Sequence, residues 1–245
     1  MRHSANAEHS QQGGLYNMEK RKIIIGTYDT ALTGLWTLRA WSLADPELIE
    51  SYIEVPGRVD GPLDASTALS DGDPRYGSRP LAITLESSEG TRLEREARID
   101  LMRNQLDGKR FDIILPDDPT HHVRGRVRVQ KLYNDLAHAS VSVSAVCEPW
   151  RYNNTDTVVS LVASTTEQTA ALLNLGRRAV APALTVTGGD VRIKFGADPE
   201  TPSRDLSPKT YPPGYYPELF LTPGVHPLTY SGAGTILLTY REAVL

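Results

Sequence analysis

The clearest pattern along the chain is strict alternation between residues 139 and 147. Val141, Val143, Ala145 and Cys147 fall on one face and Ser140, Ser142 and Ser144 on the other. A side-chain period of two marks a strand with one buried face. Residues 123–130 alternate in the same way. Val123, Gly125, Val127 and Val129 share a face opposite Arg124, Arg126, Arg128 and Gln130. Asn134-Asp135 supplies turn residues between the two runs, so they predict a hairpin. Further strands are expected at Leu48–Val55, Leu81–Glu86 and Phe111–Leu115, with Pro116-Asp117-Asp118-Pro119 as a tight turn. A helix is expected after Thr91, which with Glu94 forms a Thr-x-x-Glu capping box. Its apolar stripe reads as Leu93, Ala97 and Leu101, widened by Met102 and Leu106. Gly108 stands where a C-terminal glycine cap belongs.

Beyond Trp150 the pattern changes. Residues 153–169 are rich in Thr, Ser and Asn. Short strands are then expected at Ala183–Thr187, Val191–Phe195, Leu219–Leu221, His226–Tyr230 and Thr235–Tyr240, joined by glycine-rich turns. Such spacing suggests a β-sandwich. The chain thus reads as mainly β with one packed helix, in two domains. Residues 1–22 are expected to be a disordered tail, 23–152 a first domain, 153–172 a linker and first strand, and 173–245 a second domain.

Composition narrows the function. The chain has 245 residues, 40% of them hydrophobic and 23% charged, with a net charge of −4. That balance argues against binding nucleic acid by neutralising phosphates. A single cysteine, Cys147, cannot form an internal disulfide or a zinc site alone, and it reads as a small buried hydrophobe. No stretch is long and apolar enough for a membrane helix, and the polar N-terminus does not read as a signal peptide. Asn153-Asn154-Thr155 matches a glycosylation acceptor, but no secretory signal accompanies it.

The search for chemistry gives no catalytic, metal or cofactor set. His121 and His122 are adjacent on a strand and face opposite ways, which disfavours one shared ion. No nucleophile elbow, Walker loop, dinucleotide fingerprint or zinc-protease motif is present. Two surfaces remain. The Arg124, Arg126, Arg128 face reads as a subunit interface or lumen face, a phosphate-gripping face, or a plain solvated face. Tyr211, Tyr215 and Tyr216 lie in a proline-stiffened loop; they either contact a partner or glycan, or fold back on the sandwich. A structural assembly protein is therefore expected, not an enzyme. A carbohydrate-binding module on a virion or secreted glycan-active protein is the alternative, and a glycan-cleaving enzyme with two separated carboxylates is a third.

Several segments, taken in order, resemble the distal tail protein (Dit) family of long-tailed phages. They are EVPGRVDGPLD, Arg79 before a strand, a helix ending near Gly108-Lys109, an Asp-Pro turn before a Gly-Arg strand, and AVCEPWRY from Ala145 to Tyr152. In the second half they are Asn174-Leu175-Gly176 before PALTVTGG, and the closing run LTPGVHPLTYSGAGTILLTYREAVL, where His226 replaces an expected asparagine. The resemblance implies a β-sandwich-like ring domain followed by a galectin-like β-sandwich. It implies a homo-hexamer, as one ring or two stacked, at the distal end of a phage tail. Its partners would be the tail tube protein, a tail-tip hub protein, and receptor-binding or baseplate proteins, with DNA only in passage. The protein would be made in the bacterial host cytoplasm and reside in the virion. Galectin-like shape does not itself imply sugar binding.

Overall fold

The computed structural model describes residues 22–33, 35–54, 56, 61–68, 74–195, 209–216 and 220–245. The expected disordered tail, up to residue 21, lies outside them. Two hydrophobic cores organise the chain. The first sheet runs in the order β2 (Tyr28–Asp29), β1 (Ile24–Ile25), β7 (Arg110–Leu115), β8 (Asp118–Asn134), β9 (Ala139–Asn153), β6 (Arg79–Ser87) and β3 (Thr37–Leu43). Its inner face carries Ile83, Leu85, Ile113, Val127, Val141 and Val143, all essentially buried. The alternating strands predicted at 123–130 and 139–147 form the long β8–β9 hairpin, and Arg126 pairs with Val146 as Arg128 does with Ser144.

Helix α1 (Arg92–Leu106) packs against this sheet. Its capping box forms as expected. Thr91 Oγ1 accepts from Glu94 N, and Glu94 Oε2 accepts from Thr91 N at 2.7 Å. Gly108 follows the helix at φ +74°, a backbone region that favours glycine. The predicted stripe is right in part. Met102 and Leu106 are buried as expected, but Leu93, Ala97 and Leu101 are exposed, and Ile99 and Arg95 complete the buried face. Arg95 can lie on that face because it has buried acceptors. Its Nη1 donates to Gly90 O at 2.6 Å, and its Nη2 donates to Asp135 O at 2.8 Å and Leu136 O at 3.0 Å. Arg95 thereby joins the helix to the turn of the β8–β9 hairpin.

Of the strand expected at Leu48–Val55, Val55 lies outside the described residues and the rest is not one continuous strand. Leu48 makes an isolated bridge to Tyr76, and only β4 (Tyr52–Ile53) pairs, with β5 (Leu63–Asp64). Among the described residues this two-stranded arm belongs to none of the three larger sheets.

The second core lies between two four-stranded antiparallel sheets. One orders β10 (Thr157–Val162), β17 (Thr235–Tyr240), β12 (Ala183–Thr187) and β15 (Gly214–Tyr216). The other orders β11 (Gln168–Asn174), β16 (Gly224–Gly232), β13 (Val191–Phe195) and β14 (Lys209–Tyr211). Leu172, Leu184, Val186, Leu228, Ile236 and Leu238 fill the sandwich. Leu219 lies outside the described residues, and Leu221 makes a bridge to Val180 in place of a strand.

The two halves are joined twice. After β17 the chain returns to the first sheet, where β18 (Ala243–Val244) pairs with Tyr152 and Arg151 of β9. Asn174 Nδ2 donates to Arg178 O and Leu221 O, while its Oδ1 accepts from Gly176 N. Leu175 N donates to Glu242 Oε1 at 2.9 Å, and Arg177 N donates to Ala243 O at 2.8 Å. The Asn-x-Gly segment thus fixes the returning strand.

Candidate interaction surface

The outward face of the first sheet reads from the register as rows. Arg126, Val146 and Pro80 lie side by side; Arg128, Ser144, Ala82 and Ser42 form the next row; Gln130, Ser142, Thr84 and Ala40 the next. The floor is made of small side chains, with a basic edge along β8. Val146 is 65% exposed. A shallow hollow of about 810 Å³ lies over this floor.

The three arginines differ in what holds them. Arg124 is committed to Asp112: its Nε donates to Oδ1 at 2.6 Å and its Nη2 to Oδ2 at 3.1 Å. That fork holds the Asp112 carboxyl below its usual range and raises the Arg124 guanidinium. Arg124 also lies over the Tyr152 ring, 5.4 Å from its centre. Arg126 donates to Gly108 O. Arg128 is exposed, with no hydrogen bond or ion pair among the described residues. Arg128 keeps the most donors for another molecule, and Arg126 and Arg124 keep some.

The arm is the second exposed feature. Tyr52 is 57% exposed, and Leu48, Ile49, Ile53 and Leu63 are between 41% and 50% exposed. An isolated two-stranded hairpin is at best marginally stable in water. Tyr52, Ile53 and Leu63 on the arm, with Leu48 and Ile49 before it, leave an apolar patch exposed in the single chain.

Tyr211 is not available as a contact. It is 4% exposed, sits in the second core and pairs through β14 with Val191. The proline-stiffened segment turns this ring inward. The side chains of Tyr215 and Tyr216 lie outside the described residues. Of the adjacent histidines, His121 Nδ1 pairs with Asp118 Oδ1 at 2.8 Å. His122 is buried, stacks on Tyr152 with ring centres 5.7 Å apart, and meets Asn154 Oδ1 through Nδ1 at 2.9 Å. Asn154 Nδ2 donates to Pro119 O, so its oxygen faces the ring. No group of three or more metal-ligating side chains forms among the described residues. Burial pushes the Cys147 thiol up to about 11, as suits a packing residue.

With these elements in place, comparison with solved structures is decisive for the architecture. The chain has the fold of SPP1 Dit. The two superpose with a TM-score of 0.60 over 90% of this chain and 98% of the other, at 14% sequence identity. That crystal structure is presented as a paradigm of the hub adsorption apparatus in phages that infect Gram-positive bacteria. The chain matches no protein-family model and no curated protein sequence. Among the described residues no helix is long and apolar enough to cross a membrane.

Sequence reasoning missed two features of this region. The apolar arm was hidden because an ordinary-looking strand sequence gives no sign of lacking a sheet. The Tyr152 cluster, where His122 and Arg124 meet one ring, was hidden because its members are close only after β8 and β9 pair.

Proposed function

We propose that this protein is a structural component of a phage tail hub. The observation that carries the reading is a shared fold that extends through both cores and nearly the whole length of SPP1 Dit. In this reading residues 23–152 form the ring-building domain, and an outer galectin-like sandwich follows that takes in both β10 and β11, so the segment 153–172 expected as a linker and first strand belongs to the sandwich. Six copies close into a ring, as one ring or two stacked. The ring joins the tail tube to the tail-tip hub protein, and DNA passes through the lumen.

Two surfaces support assembly of this kind. The apolar arm of β4 and β5 reaches a neighbouring copy, which covers Tyr52 and Ile53. The small-residue floor around Val146, edged by Arg126 and Arg128, admits close approach of another chain. A ring repeats one heterologous interface until it closes, and a stable interface buries on the order of 800 Å² per partner. A net charge of −4 per copy favours a lumen that DNA slides through.

The test is molar mass in solution by light scattering behind a sizing column. The monomer is 26.9 kDa. A sixfold or twelvefold species is expected, and Ile53→Asp should reduce it to monomer while the far-ultraviolet spectrum stays unchanged. A wild-type protein that remains monomeric at every concentration, or an Ile53→Asp variant that assembles normally, refutes the assembly model.

A further inference from the structure

The arm and the floor of the first sheet carry opposite charge. In the arm, Tyr52 pairs with Asp64 and Ile53 with Leu63. Residues directly opposite in a sheet share a face, and neighbours along a strand point opposite ways. The arm therefore has an apolar face of Ile53 and Leu63 and a second face of Tyr52 and Asp64. Glu50, and then Asp64, raise the Tyr52 hydroxyl pKa, so both carboxylates lie close to that ring. Hydrogen bonds from Ser66 hold the Asp64 carboxyl below its usual range. The described residues between 45 and 68 include Asp45, Glu47, Glu50, Glu54 and Asp64, all exposed, and no lysine or arginine. Of these acids only Asp45 is in an ion pair among the described residues, with Arg79 at 3.5 Å.

The hollow of about 810 Å³ over the floor is the converse. Arg126 and Arg128 line it, both exposed, and no carboxylate does. Glu86 and Glu148 lie further along the same outward face and are already matched. Glu86 is held by Arg39 and Tyr133, and Glu148 by Arg110 and Tyr152. Between the arginines and Ser42 the lining is small or apolar, with Val146, Pro80, Ser144 and Ala82. Side chains of that size let another backbone approach closely, and arginine stems at the edge can reach up beside whatever lies there.

We propose that the hollow is the seat of the arm of a second copy, with Ile53 and Leu63 on Val146, Pro80 and Ala82, and Glu50 and Glu54 against Arg126 and Arg128. This rests on the assembly reading above and specifies which two surfaces of neighbouring copies meet. The arm gains the sheet it lacks, and the two uncommitted arginines gain acceptors. Each partner excludes its like, because an arm against an arm would bring carboxylates together and a floor against a floor would bring arginines together.

The experiment is a charge exchange, read as molar mass by light scattering on the full-length protein. One variant carries Glu50→Arg with Glu54→Arg, and the other carries Arg126→Glu with Arg128→Glu. Each alone should self-associate at least about tenfold more weakly than wild type, since like charges then face each other. An equimolar mixture should recover the wild-type mass, because each variant's altered surface then meets a complementary one. Far-ultraviolet spectra check that both variants fold. Wild-type assembly, diluted to near its midpoint, should also weaken as sodium chloride is raised, a measurement that needs no variant. If the wild type assembles but its mass is independent of salt, either folded variant assembles as well as wild type, or the mixture of folded variants stays dissociated, this pairing is overturned and the assembly reading stands. A wild type that is monomeric at every concentration overturns the assembly reading and the pairing with it.

Discussion

Arg95 gives the sharpest test of how the first core is built. The perturbation is Arg95→Met, which keeps the length and apolar stem of the side chain and removes its charge. Arg95 is 1% exposed and bonds three backbone carbonyls, two of them in the turn of the β8–β9 hairpin. Hydrogen bonds to a charged group contribute about 1.5–3 kcal/mol each, so three give a gross loss of about 5–9 kcal/mol. Relief from burying an ion offsets several kcal/mol of that. The net expectation is a destabilisation of about 2–4 kcal/mol. Arg95→Lys should fall between methionine and wild type, because an ammonium cannot span Gly90 O and Leu136 O together. The assay is urea unfolding, with amide exchange read at Ala137 and His138, whose N–H groups bond Asp135 Oδ1. If the two cores unfold separately, only the transition of the first should move. A methionine variant within about 1 kcal/mol of wild type, with unchanged exchange at the turn, would show that Arg95 does not organise the helix and hairpin.

Three further outcomes follow from the same packing. Ile99→Ala should cost about 2–5 kcal/mol in chemical unfolding, whereas Leu93→Ala, on an 80% exposed residue, should change stability by less than about 0.5 kcal/mol; equal effects would return the stripe to its sequence-read phase. Gly125→Ala places a Cβ 2.7 Å from Cys147 Sγ and 2.9 Å from Val146 O, so it should cost about 1–3 kcal/mol; adding Cys147→Ala should restore part of that in a double-mutant cycle, and strict additivity would refute the contact. Asp112 has a folded pKa below its unfolded value, so its contribution is complete above about pH 4 and is lost as pH falls through the folded value. Thermal melts between pH 5 and pH 2 should show that loss, with a shallower slope in Asp112→Asn; identical slopes would remove Asp112 from the acid response.

The parts of the fold legible in the sequence were those set by local rules. Alternation from Val123 to Val129 and from Val141 to Cys147 located both arms of the hairpin, because a sheet with one buried face fixes its register two residues at a time. Thr91, Glu94 and Gly108 marked the helix ends, because caps are chemistry between near neighbours. What escaped was long-range. Arg95 reads as a surface residue until the hairpin turn supplies its carbonyls, so the buried face takes Arg95 and Ile99 beside Met102 and Leu106 in place of Leu93, Ala97 and Leu101. Arg79 resembles any strand-leading arginine until Ala44 O and the end of β3 enclose it. Tyr211 reads as a loop aromatic until β13 pairs with its strand.

The return of β18 to β9 has a topological consequence. The second sandwich is an insertion in the first sheet, entered through Asn153 and left through Glu242, with Asn153 N donating to Glu242 O where the two crossings meet. A protease that cuts only between Asn153 and Thr157 would leave the sandwich held through the non-covalent pairing of β18, a two-residue strand, with β9. Tension on the sandwich is likewise shared between one covalent crossing, after Asn153, and that backbone pairing.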